Sequence, residues 1–161
     1  MQVFTGYYEH TIDAKNRLAV PSDIRALLGG GKDEAPVFLY VTLGIGRLRL
    51  YTESGFKLRA KELNRSELDT AQLLQYERVV FPLTRRVEID KQGRVLLTEQ
   101  LLKMSGLSSD VVLLGLNDHL ELCDRKAWIE ELQKNLTEQQ ELLKNPRLAM
   151  KKPAPPADVK E

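Results

Sequence analysis

One segment occurs twice in this chain, at a constant offset of 77 residues (Asp13 to Asp90). The first copy is Asp13-Ala14-Lys15-Asn16-Arg17, inside Thr11-Ile12 and Leu18-Ala19-Val20. The second is Asp90-Lys91-Gln92-Gly93-Arg94, inside Glu88-Ile89 and Val95-Leu96-Leu97. An internal repeat constrains a fold more than any single residue, because both copies must solve the same packing problem. Each reads as two strands joined by a tight turn with a basic tip. Asn16 and Gly93 occupy equivalent places, and Asn and Gly are the residues that most readily accept a positive φ.

The repeat runs on past the turns. Ile24 falls on Leu101, Leu27 on Met104 and Gly29 on Gly106, with Ser22 near Thr98. Each half therefore reads strand, turn, strand, capped short helix, glycine stop. Ser22 is the expected cap of the first helix, and Pro21 ends the preceding strand. Gly29-Gly30-Gly31-Lys32 lacks the spacing of a phosphate loop. A second hairpin follows in each half. In the first it is Val37–Val41, a turn at residues 43–46 and the alternating Arg47–Tyr51. In the second it is Val111–Gly115, a turn at Asn117-Asp118 and His119–Cys123. Each hairpin leads into a helix, capped by Thr52 or Ser54 in the first half and by Asp124 in the second. Trp128 takes the place of Phe56. A further helix is expected from about Ser66 to Val80, broken by Pro82. Residues 52–80 hold five basic and five acidic side chains, the pattern of a solvated amphipathic linker. From Asn145 the chain is rich in proline and reads as a disordered tail.

Composition narrows the function. At 161 residues the chain suits one domain or two small intertwined halves. No apolar run approaches the roughly 20 residues that span a bilayer. Met1-Gln2-Val3-Phe4-Thr5 lacks the features of a signal peptide. The single cysteine, Cys123, excludes an intrachain disulfide and reads as a small strand residue. The formal net charge is only +1, so distribution matters more than the sum. Residues 78–103 carry six basic and three acidic side chains, whereas residues 1–31 carry three of each.

The chemistry of the turns favours binding over catalysis. An Arg four residues from an Asp keeps that Asp ionised and makes it a poor proton donor near neutral pH. His10 and His119 are the only histidines, and neither has metal-ligand spacing to another ligand. No Gly-x-Ser-x-Gly nucleophile motif is present. A rigid tip carrying Lys15 and Arg17 is suited to a phosphate backbone or a groove edge, since Arg presents a planar donor fork. The structural alternative is that Asp and Arg only pair to lock the turn. A single tip gives few contacts, so repetition in a homo-oligomer would supply avidity.

These motifs, with the Tyr7-Tyr8-Glu9-His10-Thr11-Ile12-Asp13 lead-in and Val20-Pro21-Ser22, resemble the MraZ family of transcriptional regulators over roughly residues 1–143. The resemblance implies an α+β, mainly β fold. It would comprise two tandem AbrB-like swapped-hairpin half-barrel repeats, with short helices and a longer helical linker. The division would be 1–51 first repeat, 52–81 helical linker, 82–143 second repeat with its C-terminal helix, and 144–161 tail. It implies a ring-shaped homo-oligomer, in the cytoplasm and on the nucleoid, that binds double-stranded DNA at short direct repeats and represses the division and cell-wall gene cluster. Carried over by position, Lys15, Arg17, Lys91 and Arg94 would face DNA, while Asp13, Asn16, Asp90 and Gly93 would shape the turns. Asn16 stands where the family usually has Gly, and Leu97-Thr98 replaces an apolar-Pro pair. No cofactor, metal or small-molecule ligand is inferred. The alternative is an AbrB-like, antitoxin-type protein-interaction module.

Overall fold

The computed structural model describes residues 2–29 and 35–150. Gly30 and Gly31 of the glycine stop, and residues 151–161 of the tail, lie outside the described residues. Contacts divide the chain into two units, Met1–Trp128 and Ile129–Glu161.

In the first unit the elements run β1 (Tyr7–Thr11), β2 (Arg17–Ala19), α1 (Ser22–Leu28), β3 (Phe38–Gly44), β4 (Arg47–Tyr51), α2 (Glu53–Leu63) and α3 (Thr70–Leu83). The second copy follows as β5 (Arg85–Glu88), β6 (Arg94–Leu96), α4 (Glu99–Ser105), β7 (Asp110–Leu116) and β8 (His119–Asp124). α5 (Arg125–Glu138) begins in this unit. The second unit holds the rest of α5, α6 (Gln140–Lys144) and a 3-10 helix at Pro146–Ala149. That last turn corrects the reading of the tail as disordered at residues 146–149 only. Among the described residues no helix is long and apolar enough to cross a membrane.

Six strands form one antiparallel sheet in the order β1-β7-β8-β4-β3-β5, and β2 pairs separately with β6. Exchanging each strand for its repeat mate reverses the six-strand order and leaves it unchanged. The duplication in the sequence is thus a two-fold relation in space. β1 adds to β7 of the other half, and β5 adds to β3 of the first. This corrects the local hairpin reading: the two arms of each turn do not pair with each other as a ladder. They find partners across the molecule, giving two interlocked swapped-hairpin repeats in an α+β, mainly β fold.

The exchange is driven by burial. Leu18 and Val95 are 0% exposed and sit opposite each other at the centre of the β2–β6 pair. Their neighbours Val20 and Leu97, and the helix residues Ile24 and Leu101, are buried mates as well. Each such side chain contributes about 1.5–3 kcal/mol when removed from water. Both halves share one core, which also takes in Leu39, Val41, Leu48, Leu50, Leu113, Leu120 and Leu122.

The second hairpins form, with the first turn narrowed from the expected residues 43–46 to Ile45-Gly46 because Leu43 and Gly44 pair within the ladder. Gly46 at φ 71 and Asn117 at φ 68 supply the left-handed residue that each two-residue turn needs. Thr52 caps α2 by accepting from Gly55 N at 3.0 Å. Three terminus readings are corrected. Ser22 lies inside α1, whose cap position is Pro21 without a side-chain bond, whereas Thr98 caps α4 by accepting from Leu101 N. Asp124 ends β8, and its carboxylate accepts from Ser108 N and Oγ, both at 2.8 Å. α3 starts at its cap Asp69 and runs through Pro82 to Leu83. Pro82 has no N–H to donate to Arg78 O, so one ladder bond is missing from the last turn, and the helix closes at Thr84, whose N and Oγ1 donate to Val80 O at 3.0 and 2.7 Å.

Candidate nucleic-acid interface

The two turns are built by the same bonds. At the first, Asp13 Oδ1 accepts from the backbone N–H of Lys15 and of Arg17, each at 2.9 Å. Asp13 Oδ2 accepts from Arg17 Nε at 2.8 Å. Asn16 N donates to Asp13 O, and Asp13 N to Arg17 O. At the second, Asp90 Oδ1 accepts from Gln92 N and Arg94 N at 2.8 and 2.9 Å, and Oδ2 from Arg94 Nε at 3.2 Å. Gly93 N donates to Asp90 O, and Asp90 N to Arg94 O. Asn16 at φ 61 and Gly93 at φ 79 complete the turns.

Electrostatics follows from these bonds. The Arg17 backbone N–H holds Asp13 below the usual carboxylate range, with the Arg17 guanidinium and the Lys15 N–H acting in the same direction. The Arg94 backbone N–H does the same for Asp90, helped by the Gln92 N–H and the Arg94 side chain. Each carboxylate is therefore a fixed anion that anchors one arginine. The anchor uses Nε, and among the described residues no further polar contact occupies the Nη groups of Arg17 or Arg94. Their side chains are 30% and 28% exposed.

The β2–β6 pair joins the two tips. Arg17 sits opposite Leu96 and Ala19 opposite Arg94. Leu18 and Val95 point into the core, so Arg17 and Arg94 share the outward face. Strand rise and spacing put their Cα atoms about 8 Å apart. The turn residues themselves cross-link the halves: Leu97 N donates to Asn16 O and Val20 N to Gly93 O, both at 2.8 Å.

The lysines are not repeat mates. Lys15 stands two residues after its Asp and supplies an amide to it, as Gln92 does in the second turn. Lys91 stands one residue after its Asp, in the place of Ala14. Both lysines are exposed. Much of the basic excess around the second turn is engaged elsewhere. Arg85 Nη1 donates to Pro82 O and Thr84 O. The Arg86 guanidinium lies 3.5 Å over the Phe38 ring, and Lys103 pairs with Glu99 at 3.0 Å.

Two features lie beyond the sequence reading. Arg25, in α1, lies against Gly93 of the other half, and the signal for it is the mismatch with its repeat mate Leu102. The second feature is a charge network around the buried Glu121. His119 Nδ1 meets Asp118 Oδ1 at 2.7 Å and Nε2 meets Glu121 Oε2 at 3.3 Å. Arg47 Nη1 donates to Glu121 Oε1 at 2.8 Å. The hydrogen bond to Glu121 raises the His119 pKa, and the same bond lowers that of Glu121. Among the described residues no group of three His, Cys, Asp or Glu side chains is arranged to hold a metal.

Comparison with known proteins bears on this geometry. Residues 80–146 match the family model described as "MraZ protein, putative antitoxin-like". The "Transcriptional regulator MraZ" of Ureaplasma parvum serovar 3 is 31% identical over 140 residues, spanning 86% of this chain and 90% of that one. The protein of that name from Mycoplasmoides gallisepticum is 34% identical over 127 residues, spanning 78% and 84%. The one from Clostridium acetobutylicum is 28% identical over 129 residues, spanning 80% and 86%. With identity above 30% to two of these relatives across most of both chains, and with the duplicated turn set in interlocked halves, this chain belongs to the MraZ family.

Proposed function

We propose that this chain is a sequence-specific DNA-binding transcriptional regulator that works through its two Asp-anchored arginine tips. The observation that carries the reading is the twin geometry at the tips. Each arginine is fixed through Nε by a fixed carboxylate and keeps its Nη groups for a guest, and both lie on one face of one short ribbon. Preorganised guanidinium forks of this kind suit phosphate oxygens and the guanine O6/N7 edge. The name shared by the relatives supports the same reading. Lys15 and Lys91 add charge beside each fork, while Asp13, Asn16, Asp90 and Gly93 hold the turns.

Two tips with few phosphate contacts bind DNA only weakly, on the order of micromolar or worse at physiological salt. The regulator therefore acts as a homo-oligomer, in ring form, whose tips engage short direct repeats in one promoter. β1 and β5 each pair on one side only within the sheet, which leaves two edges for neighbouring copies. The operator is placed upstream of the division and cell-wall gene cluster, within the protein's own operon, with repression as the outcome, in the cytoplasm and on the nucleoid.

The test is fluorescence anisotropy with DNA from upstream of the protein's own gene and with scrambled DNA, across several salt concentrations. Tight binding that requires the repeats supports the reading. Equal, weak and salt-erased binding to both DNAs would leave only generic charge attraction and contradict it.

A further inference from the structure

The two tips differ in what covers them. Gly93 is buried although it sits at a turn, and the group that buries it is Arg25. A Cβ at position 93 would come within 2.8 Å of Arg25 Cζ and Nε and 2.9 Å of its Cδ. Arg25 is exposed, and its Nε donates to Val20 O at 3.1 Å. Val20 N in turn donates to Gly93 O. Among the described residues its Nη groups have no carboxylate partner. The repeat mate of Arg25 is Leu102, which packs against the core and shares a hollow with Asp13 and Asn16. The first tip thus has an aliphatic neighbour, beside Glu99 and Lys103 that pair with each other, where the second has a guanidinium without a carboxylate partner among the described residues.

We infer that Arg25 is a third phosphate-binding residue of the second tip, contributed across the molecule by the helix of the first repeat. The inference rests on the DNA-binding reading above. It follows from the same arrangement that marks Arg17 and Arg94. Arg25 is held through Nε by a neutral carbonyl, which leaves its full charge and its outer donors for an anion. Counting Asp90, Lys91 and Arg94, the second tip carries a formal +1. Arg25 raises it to +2, while the first tip, with Asp13, Lys15 and Arg17, stays at +1. The second tip is then the stronger backbone anchor. Phosphate contacts of this kind fix register without reading sequence.

The test uses Arg25→Leu in the full chain, since leucine is what the other half carries at this place. Arg25→Gln serves as a second variant that keeps length without charge. Anisotropy titrations on promoter and scrambled DNA are run at several salt concentrations, beside Arg17→Ala and Arg94→Ala, with oligomeric state and melting temperature as controls. The expected result is a loss of roughly tenfold in affinity on both DNAs. The slope of log affinity against log salt should fall by about 0.9 for each phosphate that is no longer neutralised. Arg25→Lys should keep the slope. An unchanged slope and affinity in Arg25→Leu or in Arg25→Gln would overturn the inference. If Arg17→Ala loses binding in that case, the DNA reading stands and only the role of Arg25 falls. If Arg17→Ala and Arg94→Ala also bind as wild type, the reading of the tips as the DNA-binding surface itself fails.

Discussion

The two tips share every bond inside the turn and differ in their surroundings. Around Asn16 there is space for a side chain, and Leu102 lines it. Around Gly93 there is none, because Arg25 occupies it. Both positions need a left-handed backbone, so Asn or Gly serves each turn equally by conformation alone. The choice between them is made by the neighbour from the other half. A duplicated sequence can therefore keep its fold-forming bonds identical while the facing residues diverge. Structure is held at the shared positions, and individuality sits at the unshared ones.

The largest effect is expected where the halves are alike. Leu18→Ala removes a fully buried side chain at the centre of the β2–β6 pair and should cost about 3 kcal/mol. Val95→Ala, its mate, should cost less because fewer atoms are removed; urea denaturation measures both. A large cost at one site with none at the other would mean that the halves do not share one core.

The next effect should be asymmetric. Gly93→Asn must displace Arg25 and should destabilise by about 1 kcal/mol, while Asn16→Gly should stay within about 0.5 kcal/mol. Adding Arg25→Leu should relieve Gly93→Asn, a coupling that a double-mutant cycle reads directly. Equal costs at the two turns would contradict the account of their difference.

The carboxylates should behave alike. Asp13 and Asp90 both have folded pKa values below the ordinary 3.8. Their ionised forms thus favour the folded state. That stability is complete above the ordinary value and is lost as pH falls through the lower folded value. His119 has the opposite sign, with a folded pKa above 6.5. Its contribution is complete below 6.5 and is lost as pH rises through the folded value. NMR titration of the three side chains checks the directions. A small effect closes the series: Lys103→Ala removes an exposed pair with Glu99 and should shift stability by no more than about 0.5 kcal/mol in thermal melts.

What is legible in the sequence is local or repeated. The turns can be read because Asp, Asn or Gly, and Arg sit within five residues and bond to one another there. The second hairpins can be read from Gly or Asn between apolar runs, although the first turn, read at residues 43–46, closes at Ile45-Gly46 because β3 runs on to Gly44. The strand partners of β1, β2, β5 and β6 cannot be read locally. Nothing near Leu18 says that its neighbour is Val95, since the pairing is decided by burial in a shared core. Helix ends mislead where a competing bond exists: Asp124 has the chemistry of a cap but turns to Ser108. Arg25 carries no local signal because it meets Gly93 only after the halves interlock, although its mismatch with Leu102 is visible in the aligned repeats.

The most direct test of the central claim is a side-by-side anisotropy titration of wild type, Arg17→Ala and Arg94→Ala on DNA from the protein's own promoter region, with oligomeric state checked by light scattering. Each substitution should weaken sequence-specific binding while the oligomer and the fold persist. Wild-type affinity in both variants, with folding intact, would show that the anchored arginines only lock their turns and that the DNA-binding surface lies elsewhere.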